Sequence, residues 1–236
     1  MVCVMQPTRR SRVSIMQSAH DIALSVKDLK TYFYTNNRCN KAINGVSFEI
    51  RKGKTLCVVG ESGCGKSVTA STIMQLLPAL SRIEQGQITY HSDNGDVEIE
   101  KLKRDGQEMR AIRGSEIAMI FQDPMTALNP VYTIGFQIGE SLKYHTDLNS
   151  KEIREKTIDL LRDMGISLPE MRVDDYPHAF SGGMRQRAMI AMAMSCNPKI
   201  LIADEPTTAL DVTIQAQIFE LMEKLKTEHE TAIMLI

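Results

Sequence analysis

Residues 55–67 read T-L-C-V-V-G-E-S-G-C-G-K-S, an apolar run that ends in a glycine-rich turn and is followed by helix-forming residues as far as Pro78. Gly60, Gly65, Lys66 and Ser67 satisfy G-x-x-x-x-G-K-[ST] in the strand–loop–helix setting that a phosphate-binding loop requires. The glycines let the backbone curl until successive N–H groups converge on an anion, and the helix behind adds the positive end of its dipole. From there Lys66 can reach β- and γ-phosphates, and the Ser67 hydroxyl can ligate Mg²⁺. Asp204 and Glu205 close the apolar run Ile200-Leu201-Ile202-Ala203. Adjacent carboxylates at the end of a buried strand are costly as pure structure. With a phosphate loop upstream, Asp204 is expected to anchor Mg²⁺, and Glu205 either to accept a proton from an attacking water or to orient it. Ser181, Gly182 and Gly183 open a second helix with free N–H groups. One nucleotide needs only one such helix start, so this one is expected to serve a nucleotide held by another subunit.

These residues need a scaffold, and 236 residues are enough for one large α/β domain or a core with a subdomain. Residues 22–29 place Ile22, Leu24 and Val26 on one side, and residues 42–50 do the same with Val46, Phe48 and Ile50, so both read as half-buried strands. Residues 87–91 and 97–99 read as a hairpin joined through Asn94-Gly95. Residues 116–121 form a further apolar strand. From Asp123 to about Ser195 the pattern is helical. Residues 151–164 put Ile153, Leu160, Leu161 and Met164 on one face, with Asn149 or Ser150 as the cap and Gly165 as the stop. Beyond Arg187 the chain is apolar all round, which predicts a deeply packed helix. Residues 199–203 suit a parallel strand covered on both faces. Asp211 caps a helix carrying Ile214, Ile218, Leu221, Met222 and Leu225, and residues 231–236 begin another buried strand.

Formal net charge is −1, so no basic field argues for nucleic acid. Five scattered cysteines without a C-x-x-C pair suit a reducing cytoplasm. One of them, Cys64, lies inside the loop, either as a small filler or as a thiol sensitive to reagents. No apolar run is long enough to cross a bilayer. Residues 1–20 carry Arg9, Arg10 and Arg12 without a signal-peptide core, and read as a loose tail, with Met16 as an alternative start. Fifteen methionines read as core filler, and the five histidines show no metal-ligand spacing.

The ordered set G-E-S-G-C-G-K-S, F-Q-D-P, F-S-G-G-M-R-Q-R, L-I-A-D-E-P and A-L-D resembles the ABC-type ATPases along the whole chain. The longer forms F-Q-D-P-M-T-A-L-N-P and Y-P-H-A-F-S-G-G-M-R-Q-R are similar to the oligopeptide, dipeptide and nickel importer branch. This resemblance implies an α/β fold: a P-loop NTPase (RecA-like) core with an antiparallel β subdomain and an inserted α-helical subdomain. On that plan residues 21–121 are core and β subdomain, 122–194 the helical subdomain, and 195–236 the resumed core. It implies ATP and Mg²⁺ as cofactors. Gly60, Glu61, Ser62, Gly63, Cys64, Gly65, Lys66, Ser67 and Val68 would hold the phosphates, with Lys66 also catalytic. Gln122 would touch Mg²⁺ and the attacking water. Ser181, Gly182, Gly183 and Met184 would close over the partner's ATP, Met184 departing from the commoner glutamine. Ser67, Gln122 and Asp204 would be the metal ligands, Glu205 the catalytic glutamate, and Ala209-Leu210-Asp211 the loop crossing the dimer interface. An aromatic stacks on adenine in this family; counting from Leu29 selects Phe33, with Tyr32 and Tyr34 as rivals.

The implied partners are a second ATPase subunit (a copy or a paralogue), membrane permeases and, indirectly, an extracytoplasmic solute-binding protein. The implied place is the cytoplasmic face of the membrane. The family's switch histidine follows the strand that begins at Thr231, and the chain ends at Ile236 before reaching one. The expectation is therefore either a fragment of a longer protein, or a truncated product that binds ATP with weak or no hydrolysis. Two other readings compete: a soluble ABC ATPase acting on ribosomes or DNA, which would want a basic face or tandem cassettes, and an interaction module without catalysis.

Overall fold

The structure, a computed structural model, describes residues 3–5 (backbone only), 21–35, 38–208 and 210–236. The chain divides into two compact units, residues 1–110 with 232–236, and residues 111–231.

In the first unit β1 (Cys3–Met5) precedes two long strands, β2 (Ile22–Thr35) and β3 (Arg38–Arg51), and the short β4 (Thr55–Val59). Helix α1 (Lys66–Ile73) follows, then β5 (Ser81–Ser92) and β6 (Gly95–Glu98). Strands β3, β2, β5 and β6 lie in that order in an antiparallel sheet. Ala23, Leu24, Val26 and Leu29 are buried on it. The alternation predicted for residues 22–29 is interrupted by a bulge between Val26 and Leu29, where Asp28 has φ 44. Opposite it, Gly86 packs so closely that a Cβ would lie 2.5 Å from the Cα of Leu29. Beyond the bulge β2 runs through Thr-Tyr-Phe-Tyr-Thr, a β-branched and aromatic stretch suited to a pleated surface that the sequence pattern alone leaves unassigned. The hairpin through Asn94-Gly95 is present, but β5 begins at Ser81 rather than at residue 87. His91 clasps it, with Nδ1 2.8 Å from the Asp96 carboxylate and Nε2 3.2 Å from the Ser25 hydroxyl on β2.

Two expectations are corrected in this unit. Helix α1 stops at Ile73 instead of reaching Pro78, because Gln75 turns left-handed (φ 53) and donates its side-chain amide to the Ile99 carbonyl. The tail expected to be loose contributes β1, which pairs antiparallel with β4, Cys3 opposite Val59. The rest of residues 1–20 lie outside the described residues. Helix α2 (Gln107–Ile112) spans the change from one unit to the next.

The second unit contains β7 (Ile117–Ile120), α3 (Pro124–Ala127), α4 (Ile134–His145), α5 (Ser150–Asp163), α6 (Pro169–Arg172), α7 (Gly182–Met194), β8 (Ile200–Ala203) and α8 (Val212–His229). Strands β7 and β8 are parallel, Ile117 opposite Ile200 and Ile120 opposite Ala203, and every residue of both is buried. Their all-apolar composition is what coverage on two faces demands. Asn149, not Ser150, caps α5 through a full capping box with Glu152. Helix α7 is packed around most of its circumference from Ala188 onward, as its composition predicts. Asp211 caps α8 by accepting the Ile214 N–H.

This compact division does not follow the 21–121, 122–194 and 195–236 plan, since β7 and β8 pair together and group with the helices. The chain ends in the first unit with β9 (Ala232–Leu235), parallel to β4. Among the described residues no helix is long and apolar enough to cross a membrane.

Candidate functional site

In the first unit, β4 delivers the chain to a loop over residues 60–65, and Lys66 opens α1. Gly65 caps the helix at φ 99, and a Cβ there would lie 2.5 Å from the Ala42 carbonyl oxygen, so β3 presses directly against the loop. Gly63 is also left-handed (φ 77), but a Cβ on it would meet nothing within 4 Å. Gly65 is thus glycine for packing and Gly63 for conformation and an open face. The Lys66 ammonium curls back over the loop and donates to the carbonyls of Gly60 (2.9 Å) and Glu61 (3.1 Å). Thr69 holds the loop from behind, its N–H and hydroxyl both donating to the Gly65 carbonyl at 2.9 Å.

In front of this loop lies a pocket of about 440 Å³, lined by Phe33, Asn40, Lys41, Ala42, Gly63, Cys64, Gly65 and Val68. Of the three candidate aromatics only Phe33 lines it. The hydroxyl of Tyr32 donates to Asn44 Oδ1 at 3.1 Å and that of Tyr34 to Glu84 Oε1 at 2.6 Å. The hydrogen bond that the Glu84 carboxylate accepts from it pushes the Tyr34 pKa up to about 12. An open cradle at Gly63, a lysine held by neutral carbonyls, and an aromatic at the far wall fit a phosphate-bearing planar ligand. Asn40 and Lys41 are lining residues that the motif pattern does not identify.

Because Gly65 sits at φ 99 against backbone, Gly65→Ala is expected to cost about 1–3 kcal/mol through strain and displacement of β3. Gly63→Ala meets the conformational cost alone. Thermal denaturation of the two variants checks this: Gly65→Ala should melt several degrees below Gly63→Ala.

In the second unit, β8 is followed by Asp204, which is 5% exposed and whose N–H donates to the Ile120 carbonyl at 3.0 Å. Glu205 follows with a left-handed backbone (φ 45). Its Oε2 accepts from Gln122 Nε2 (2.9 Å) and from the Thr208 hydroxyl (3.1 Å). The structure therefore brings the two predicted residues Gln122 and Glu205 together and adds Thr208, which no motif singles out. Gln215 on α8 is a further addition: its amide donates to the carbonyls of Thr207 (3.1 Å) and Leu210 (3.0 Å). The predicted loop 209–211 is thereby held at Leu210, Asp211 caps α8, and Ala209 lies outside the described residues.

Ser181 caps α7, its hydroxyl accepting the Met184 N–H at 3.3 Å. Gly182 faces open space, whereas a Cβ on Gly183 would come within 3.3 Å of Ile214 on α8. Arg187 anchors the helix by donating to the Met164 carbonyl and to Gln217, both at 2.7 Å. The predicted residues thus fall into two groups: Phe33 and residues 60–68 in the first unit, and Gln122, residues 181–184, Asp204 and Glu205 in the second.

A phosphate loop after one strand and paired acids after a fully buried one define a P-loop NTPase of the nucleotide-binding cassette class. The ABC transporter family model matches residues 43–208, and the chain belongs to that family. It is 50% identical over 217 residues to a probable peptide ABC transporter ATP-binding protein of Sinorhizobium fredii, covering 92% of this chain and 63% of that protein. It is likewise 50% identical over 214 residues to the dipeptide transport ATP-binding protein of Bacillus subtilis, covering 90% of this chain and 62% of that one. The chain therefore spans a little over three fifths of the length of these relatives. Among solved structures it is similar to an ATP-binding cassette dimer in a post-hydrolysis state bound to ADP and Pi, with TM-score 0.76 and 26% identity over 90% of this chain and 86% of that one. A second likeness is to a cassette from Clostridium perfringens that is part of an ABC transporter complex, with TM-score 0.71, 26% identity, and 91% and 78% coverage.

Proposed function

We propose that this chain is the ATP-binding and ATP-hydrolysing part of a subunit that energises import of peptides or a related small solute. The observation that carries the reading is the pocket joining Phe33 to the glycine cradle at residues 63–65. Phe33 stacks on the base, and the amides of residues 60–68 with Lys66 hold the terminal phosphates. Ser67, Asp204 and Gln122 would each be a ligand of Mg²⁺, which would supply charge neutralisation for the transferred phosphoryl group. Glu205, oriented by Gln122 and Thr208, accepts the proton of the attacking water. Ser181, Gly182, Gly183 and Met184 close over the nucleotide of a second cassette, a copy or a paralogue.

The peptide assignment is supported by the relatives, whose names specify peptide or dipeptide transport. A permease partner is supported by an exposed apolar cluster in the second unit. Val131 is 69% exposed and Phe136 51%, and the Tyr132 and Phe136 rings stack with centroids 4.6 Å apart. Aromatic rings left in water beside one another mark a surface that another protein covers. On this reading the chain works at the cytoplasmic face of the membrane beside its permeases, which receive solute from a binding protein.

Uptake of a labelled dipeptide by cells carrying the full-length gene with its permeases tests this. Phe136→Asp should abolish uptake while the purified subunit still hydrolyses ATP. Unchanged uptake would remove this surface from the permease contact, and absence of ATP-dependent solute uptake in the parent strain would overturn the transport reading.

A further inference from the structure

We propose that Thr31 and Thr72 are positioning residues that hold the aromatic wall of the pocket at a set height over the phosphate loop, and so decide how well a base stacks on Phe33; this rests on the nucleotide site proposed above. Both threonines are fully buried, and their hydroxyls meet at 3.3 Å between β2 and α1. The Thr72 hydroxyl has one proton to give, and it goes to the Val68 carbonyl at 2.7 Å. Thr31 is therefore the donor of the pair, and a directed chain runs from β2 through Thr72 to Val68.

Both ends of that chain lead to the pocket. Against β5 the strand runs in unbroken register from Thr31, opposite Ile83, to Phe33, opposite Ser81, so the Thr31 and Phe33 side chains share one face. Phe33 lies two residues, about 7 Å, beyond Thr31, and Val68 lies one helical turn, about 6 Å, before Thr72. Phe33 and Val68 both line the pocket. On its other side Thr31 pairs with Ile43 of β3, whose side chain lies 3.7 Å from where a Cβ of Gly65 would stand. The strand carrying Phe33 is thus referred to the loop twice, through α1 and through β3. Two valines would fill the same space without desolvating hydroxyls, but apolar contact has no preferred direction. A hydrogen bond holds a narrow distance and angle, and a satisfied buried pair fixes one arrangement of strand and helix.

The test is calorimetric titration of ATP into the wild-type chain, Thr31→Val, Thr31→Ser, Phe33→Ala and the double variant Thr31→Val with Phe33→Ala, with folding checked by circular dichroism. Phe33→Ala should weaken ATP by about tenfold or more, the effect of losing a base stack. Thr31→Val should lose part of that, about fivefold, and Thr31→Ser, which keeps the hydroxyl, should bind as wild type does. In the double variant the threonine's effect should vanish, because there is no ring left to position. Unchanged affinity in Thr31→Val would overturn the proposal. An equal loss in Thr31→Ser would overturn it by assigning the effect to the methyl group's packing. A Thr31→Val loss that persists in full beside Phe33→Ala would also overturn it, by showing an effect on the loop or the fold at large. If the wild-type chain binds no ATP the nucleotide reading itself fails, and if Phe33→Ala binds ATP as wild type does the base stack fails; in either case the proposal falls with it.

Discussion

Glu205→Gln is expected to lower ATP turnover by about 10²–10⁴-fold while leaving ATP binding intact and trapping a dimer that size-exclusion chromatography detects only with ATP present. The substitution isolates the carboxylate's basicity from everything else at this position. Glutamine has the same shape, and its side-chain oxygen can still accept from Gln122 Nε2 and the Thr208 hydroxyl, the two donors that fix Glu205 Oε2. The left-handed backbone at φ 45 strains either residue equally, so stability should not separate them. What is lost is the proton acceptor for water. On the proposed reading, with ATP bound and hydrolysis blocked, the helix start at Ser181 would keep its anion and the closed pair would persist. Turnover within a factor of a few of wild type would remove Glu205 from the role of base.

Lys66→Ala is expected to abolish detectable ATP binding at micromolar nucleotide while barely changing the melting temperature. Among the described residues the Lys66 ammonium is bonded only to the Gly60 and Glu61 carbonyls, both residues being exposed, so water replaces it in the free protein at little cost. Toward a triphosphate the balance differs. A hydrogen bond to a charged group contributes about 1.5–3 kcal/mol, and Lys66 is proposed to bridge two phosphates. A loss of at least roughly a hundredfold in affinity follows from two such contacts. Equilibrium dialysis with labelled ATP, paired with thermal denaturation, checks both halves. A large drop in melting temperature would show that the lysine's contribution is to the fold.

The loop was legible in the sequence because each of its residues answers a local demand: a left-handed turn at Gly63, contact with Ala42 at Gly65, and a helix start at Lys66. The buried strands and α7 were legible for a similar reason, since an uninterrupted apolar run has few places to go. Strand β2 was only partly legible, because the bulge at Lys27-Asp28 breaks the period that identifies a strand. The end of α1 depends on Gln75 reaching Ile99, a contact across the fold that no local pattern encodes. The same holds for Gln122 and Glu205. Each motif flags its own residue, but their hydrogen bond spans 83 positions and exists only because β7 and β8 pair in register. Thr208, Gln215 and Lys41 carry no motif signal; only the folded neighbourhood shows what they touch.

The most direct test of the nucleotide site is hydrogen–deuterium exchange on the purified chain with and without Mg-ATP. Saturable protection of residues 60–68 together with Phe33 and residues 40–42, lost in Lys66→Ala, is the predicted result. Protection confined to other segments, or none at saturating ATP, would contradict the placement of the nucleotide between Phe33 and the phosphate loop.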